Sequence, residues 1–325
     1  MLPELEVHVV SIPMRVAFRG VLHREAVLLR GLVGWGEFAP FLEYDDLEAA
    51  RWLAAGLEAA TVGWPAPVRR QVPVNATVPA VAAAEVAAVL ARFPGCTTAK
   101  VKVAQAGQSL ADDVDRVAAV REWVGAAGKV RVDANGAWSV DDAQRAVTAL
   151  APFDLEYVEQ PCASLDDLAA LRRALARAGV DVPIAADESV RKAEDPLRVA
   201  VAGAADVVVL KVAPLAGVAR ALEVAAGCGL PVVVSSALDT SVGISAGVAL
   251  AAALPELPFA CGLATTALMA ADVVRDSLDG HGGTIRAGAV VPDPDRLAAL
   301  AAPADRQQWW RDRLARCAEV LGSRT

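Results

Sequence analysis

The amino-acid sequence predicts an α/β protein: a (β/α)8-type barrel with an N-terminal α+β capping domain that the C-terminal tail completes. Three observations carry this. From Val72 onward a short apolar run, rich in β-branched residues, alternates with an alanine-rich helical stretch and a Gly or Pro break. The runs are 72–78, 98–103, 129–136, 155–161, 182–189, 205–212, 230–237 and 257–263, eight in all. They are continuously apolar, as strands are when helices cover both faces of a parallel sheet. The first run, VPVNATVPA, lacks the G-x-G-x-x-G that a nucleotide-binding open sheet places after its first strand. Eight units without that loop fit a closed barrel better than a doubly wound sheet.

Before the barrel, residues 1–71 read as the cap. Strands are expected at 4–10 and 25–32, joined by a loop over 18–24, followed by a turn at GWGEFAP (34–40) and a helix over 47–60. Residues 72–283 form the barrel. Its helices are well signed: Ser139-Val-Asp-Asp and Ser164-Leu-Asp-Asp each offer a capping hydroxyl with acids in the first turn, and Gly179 closes the second helix. Beyond residue 283, GTIRAGAVVPDP reads as a hairpin rather than a ninth unit, so 284–325 is expected to pack back on the cap.

Composition narrows the function. Of 325 residues, 31 are Lys or Arg and 39 are Asp or Glu, a formal charge of −8, and no basic cluster is interleaved with aromatics, which argues against nucleic acid as a partner. The longest uncharged stretch, 240–255, is broken by glycines and too short for a membrane span. MLPELEVHVV has neither the basic flank nor the apolar stretch of a signal peptide. Five scattered cysteines and only three histidines disfavour a disulfide framework and a Cys- or His-based metal site, and a cytoplasmic protein is expected. The oligomeric state stays open.

Active sites of such barrels lie at the C-terminal ends of the strands. Those positions carry Lys100 and Lys102 on the second run, Asp133 on the third, Glu159 on the fourth, Asp187 on the fifth and Lys211 on the sixth. Any one of them reads equally well as the first solvated residue of a loop. Five consecutive strands ending in an ionisable residue do not. Asp133, Glu159 and Asp187 on neighbouring strands can converge on one cation, and three carboxylates suit Mg2+, with Mn2+ as the alternative. Lys102 and Lys211 stand four strands apart in a ring of eight, on opposite sides. A small-molecule carboxylate between them has its α-proton within reach of an amine, and the enediolate formed on proton loss is stabilised by the cation. The base must be neutral, so Lys102 acts while Lys100 and the cation depress its pKa.

The motifs K-x-K (Lys100, Lys102), D-A-N-G-A-W, E-Q-P, A-D-E-S and L-K-V-A-P-L-A-G resemble the enolase superfamily in its muconate-cycloisomerase-like branch, and G-W-G-E-F-A-P resembles that family's capping domain. The resemblance implies metal ligands at Asp133, Glu159 and Asp187, acid/base lysines at Lys102 and Lys211 with Lys100 assisting, and supporting roles for Asn135 and Glu188, the latter beside Lys211. It implies substrate contacts from Arg131, which faces the same interior as Asp133, and from Ser235, Ser236 and Gly262, with a cap loop at 18–23 over the pocket. The chain's shortness and Arg131 point within that branch to a dehydratase working by syn elimination. Two opposed lysines equally suit an N-succinylamino acid racemase or dipeptide epimerase, and a muconate-type cycloisomerase stands next. Cys261-Gly262-Leu263 stands where dipeptide epimerases often carry an acidic D-x-D, which weakens that option.

Overall fold

The computed structural model describes residues 5–18, 20–191 and 197–323. The cap begins with β1 (Glu6–Phe18) and β2 (Val21–Arg30), antiparallel in the register Val10↔Ala26, and β3 (Trp35–Phe38) joins the far edge of β2 with Leu28↔Glu37. Helix α1 (Asp46–Thr61), N-capped by Asp45, packs on β2 and β3. Three expectations change here. Both strands run further than expected, β1 to Phe18 and β2 from Val21, which pair with each other where a loop over 18–24 was expected; residue 4, the expected start, and residue 19 lie outside the described residues. Polar residues such as Arg24 and His23 continue the pairing, opposite Ile12 and Pro13, and His23 is exposed to solvent. GWGEFAP, expected as a turn, contains β3. Its Gly36 serves contact rather than turning: a Cβ there would lie 1.9 Å from the Gly56 carbonyl oxygen of α1.

The barrel takes β4 (Gln71–Pro73), β5 (Ala76–Val78), α2 (Val86–Leu90), β6 (Thr98–Lys102), α3 (Leu110–Val124), β7 (Lys129–Asp133), α4 (Val140–Leu150), β8 (Leu155–Glu159) and α5 (Leu165–Ala178). It continues with β9 (Ile184–Ala186), α6 (Glu188–Arg191), α7 (Arg198–Val201), β10 (Val207–Leu210), α8 (Val218–Cys228), β11 (Val232–Val234) and α9 (Ser241–Ala253). Strands β5 to β11 form one parallel sheet in chain order. Ser109, Ser139 and Ser164 cap α3, α4 and α5 through their hydroxyls, each worth roughly 1 kcal/mol. The uncharged stretch becomes α9, apolar and buried around most of its circumference.

The eighth run, 257–263, closes the ring without becoming a full strand. Cys261 bridges Val74 and Gly262 bridges Ser235, both in parallel, with Cys261 N donating to Pro73 O at 2.7 Å and Gly262 N to Val234 O at 2.8 Å. Pro258 has no N–H to give a longer ladder. Inside the ring Tyr157, Ala185, Val207, Val209 and Val233 form a buried cluster with Phe259 against it, so the barrel is filled.

The tail returns to the cap by a different route from a hairpin. β12 (Thr284–Arg286) pairs antiparallel with β4, Ile285 opposite Val72. Then α10 (Pro294–Ala299) and α11 (Ala304–Gly322) follow, and α11 lies along α1. Trp310 is fully buried, edge-on to Phe38 at 5.8 Å, and its indole N–H donates to Glu25 at 2.8 Å. Among the described residues no helix is long and apolar enough to cross a membrane.

Candidate active site

Strand register brings the charged residues together. Lys102 lies opposite Asp133, and Asp133 opposite Glu159. Asp187 follows β9 directly and Lys211 follows β10. The three acids are almost completely buried, at 0–1 % exposure. Each faces an ammonium. Lys100 Nζ donates to both oxygens of Glu159 at 2.9 and 3.0 Å and stands 3.4 Å from Asp133. Lys102 Nζ donates to Asp133 Oδ2 at 2.5 Å and to Asn135 Oδ1 at 2.7 Å. Lys211 Nζ donates to Asp187 Oδ2 at 2.5 Å.

Burial and charge set the protonation states. Burial lowers the Lys102 pKa, Asp133 opposes that shift, Lys100 reinforces it, and the net direction is down. Lys100 moves the other way: burial lowers it, but Glu159 and Asp133 outweigh burial and keep it charged. For Asp133 burial works upward, yet Lys102 and Lys100 hold its carboxyl below the usual range. Glu159 is pushed up to about 7 by burial and by Asp133, despite Lys100. Two neighbouring lysines thus differ, one fixed as a cation and one eased toward neutrality. That is a division of labour suited to proton abstraction.

As they stand the acids are drawn onto the lysines, and among the described residues no three of His, Cys, Asp and Glu are grouped tightly enough to hold an ion. The donor set nevertheless fits a hard divalent cation: three carboxylates on successive strands, free of sulfur and imidazole, with Glu159 burdened by the charge of Asp133 and Asp187.

Other expected residues divide. Asn135, in a left-handed turn at φ 48°, receives Lys102 and donates to Glu188 Oε1 at 3.2 Å, so Glu188 meets Asn135 where Lys211 was expected. Ser235, Ser236 and Gly262 line the cavity above the lysines. Ser236 Oγ donates to Gly262 O at 2.7 Å. Arg131 does not line it. Its guanidinium is held in the barrel floor by Glu156 at 2.5 Å, Asn75 Oδ1 at 3.2 Å and Ala260 O at 2.7 Å, over the Tyr157 ring. The expectation that Arg131 contacts substrate is corrected: it faces inward, one layer too deep. Of the cap loop expected over 18–23, Phe18 at the end of β1 reaches the cavity, its ring 5.3 Å from Lys102 Nζ.

The sequence reading missed an aromatic wall. Phe41, Tyr44 and Trp52 of the cap line the cavity, with Leu238 from the loop after β11. No periodicity marks them. Gln160 was also passed over, although it follows Glu159 directly in E-Q-P. Its Oε1 accepts from Asp187 N at 2.9 Å and Ser189 N at 3.1 Å, which fixes the fifth-strand loop relative to the fourth.

A capped barrel with carboxylates on three successive strand ends, flanked by lysines, is the construction of enzymes that enolise carboxylates. Comparison with known proteins bears on this directly. Residues 9–60 match the family described as Enolase N-terminal domain-like and residues 81–294 the Enolase C-terminal domain-like family. The o-succinylbenzoate synthase of Mycolicibacterium smegmatis is 61% identical over 97% of this chain and 95% of its own length. That of Thermobifida fusca is 61% identical over 89% of this chain and 90% of its own. In fold, the muconate lactonizing enzyme from Pseudomonas putida superposes with a TM-score of 0.76 at 20% identity, covering 93% of this chain and all (100%) of that one. The chain belongs to the o-succinylbenzoate synthase family of the enolase superfamily. Enzymes of the superfamily generally use a divalent metal ion, typically Mg2+.

Proposed function

We propose that the chain is a hydro-lyase that dehydrates 2-succinyl-6-hydroxy-2,4-cyclohexadiene-1-carboxylate to o-succinylbenzoate in menaquinone biosynthesis. Near-full-length identity to o-succinylbenzoate synthases carries the substrate assignment. Asp133, Glu159 and Asp187 would hold Mg2+, with Mn2+ as the alternative. When bound, the cation supplies positive charge against the charge that develops on the substrate carboxylate.

The chain's own residues do the proton work. Lys102, eased toward its neutral form, takes the proton α to the carboxylate. The same amine then gives that proton to the departing hydroxyl on the same face, so a C–H and a C–O bond break, a C=C bond forms and water leaves. Lys211 remains a cation on the far side and steadies negative charge without exchanging a proton. Lys100 stays charged and depresses Lys102. Ser235, Ser236 and Gly262 face the succinyl arm, and the aromatic wall excludes water. The scattered, unpaired cysteines suit a reducing cytoplasm.

The assay is direct. With Mg2+, the purified protein is expected to convert the cyclohexadiene carboxylate to a product with new aromatic absorbance, and to lose this activity in chelator. No turnover, with brisk racemisation of N-succinylamino acids in its place, would move the assignment to a racemase.

A further inference from the structure

Arg24 of β2 lies outside the lysine–carboxylate centre and is 4 % exposed, and it reaches two residues of the cavity wall, Ala237 and Leu238. Its Nε donates to Leu238 O at 2.9 Å and its Nη2 to Ala237 O at 3.2 Å, both on the barrel loop after β11. The same Nη2 donates to Ala39 O in the cap. The guanidinium also stacks on the Phe41 ring, 4.8 Å from its centroid. Buried Asp239 and Glu37 lie close enough to act on its charge. One planar, forked side chain therefore fastens cap to barrel where Phe41, Ala237 and Leu238 meet the substrate space.

Leu238 gives the fastening a purpose. Its φ is 61°, a left-handed conformation that a leucine keeps only when its surroundings hold it there. Three bonds hold this turn: Arg24 on the Leu238 and Ala237 carbonyls, and Asp239 Oδ2 accepting from Ala237 N at 3.0 Å. In this conformation Leu238 is buried against the cavity. We propose that Arg24 is a positioning residue that sets the width of the substrate cavity, by holding Leu238 in its turn and Phe41 in its plane. It touches no reacting atom, so its effect falls on how tightly the substrate's arm is gripped. Chemistry at Lys102 is left largely intact.

The inference rests on the dehydration assigned above, and steady-state kinetics on the Mg2+-loaded enzyme tests both separately. Arg24→Ala is expected to raise KM about tenfold while kcat falls by less than about threefold, because binding shared by ground and transition states is lost. Arg24→Lys, which keeps the charge but not the fork, is expected to lie between. Leu238→Ala reads the same contact from the barrel side and is expected to raise KM likewise, and these two variants carry the test if Arg24→Ala does not fold. A merely structural Arg24 would lower the active fraction, seen as a reduced kcat at unchanged KM, and that result overturns the proposal. So does an unmoved KM in all the variants. A wild-type enzyme that leaves the cyclohexadiene carboxylate untouched would remove the assigned reaction itself, and with it the substrate this wall is proposed to fit.

Discussion

Lys102 shows how much of this enzyme is decided by a single side chain and its neighbours. Burial is the strongest influence on it and favours the neutral amine; Asp133 favours the cation and Lys100 opposes it. A base of this kind works only when neutral. kcat/KM is therefore expected to rise with pH and level off above the Lys102 pKa, which lies below the ordinary lysine value of about 10.4. Replacing Lys100 by methionine removes a repelling charge, so the rising limb is expected to move to higher pH. A limb that stays in place would exclude Lys100 as the tuning group. Lys102→Ala is expected to cut kcat about a thousandfold, the scale of general-base loss, while divalent-ion titration by calorimetry still shows binding. Substantial residual turnover in that variant would be fatal to the proposed base.

Among the elements, β3 and α1 meet backbone to backbone. Gly36 and Gly56 let the strand backbone touch the helix backbone, and any Cβ at Gly36 must push them apart. Gly36→Ala is expected to cost about 3 kcal/mol, the upper part of the range for overpacking, measurable as a lowered urea midpoint. A midpoint within error of wild type would show that the two elements separate freely. The contact matters beyond stability, because α1 carries Trp52 to the cavity. The same element scale shows why GWGEFAP misled: Gly36, which reads as a turn-former, stands in a strand because a helix needs the room. Helix caps, in contrast, were legible, since Ser139 and Ser164 act on backbone three residues away. The eighth run was legible as a barrel position but not as two lone bridges, which depend on both neighbours closing around it.

At the scale of the whole molecule, the seam between cap and barrel holds an unusual carboxyl. Glu37 of β3 reaches across to α9, accepting from Thr240 Oγ1 at 2.5 Å and Gly243 N at 3.0 Å. Burial, aided by Asp239, pushes its carboxyl up to about 8. The folded protein then keeps a proton that the unfolded chain releases, so stability is expected to fall as pH rises between about 4.5 and about 8. Glu37→Gln removes that slope. Calorimetry from pH 5 to 8.5 is expected to show wild type losing about 3 °C or more in Tm relative to the variant, and parallel curves would rule out a proton held at the seam. The alternation of strand and helix, the βα-unit spacing of Lys102, Asp133, Glu159, Asp187 and Lys211, and the inward face of each were determined by the sequence alone, because strand periodicity and barrel geometry are local and repetitive. Depth and company were not. Arg131 and Asp133 share a face, yet two residues span about 6.6 Å along a strand, enough to put one in the floor and the other in the cavity. Phe41, Tyr44, Trp52 and Leu238 meet there only because a cap far away in the chain docks on the ring, and contacts between distant segments leave no period in a sequence for a reader to find.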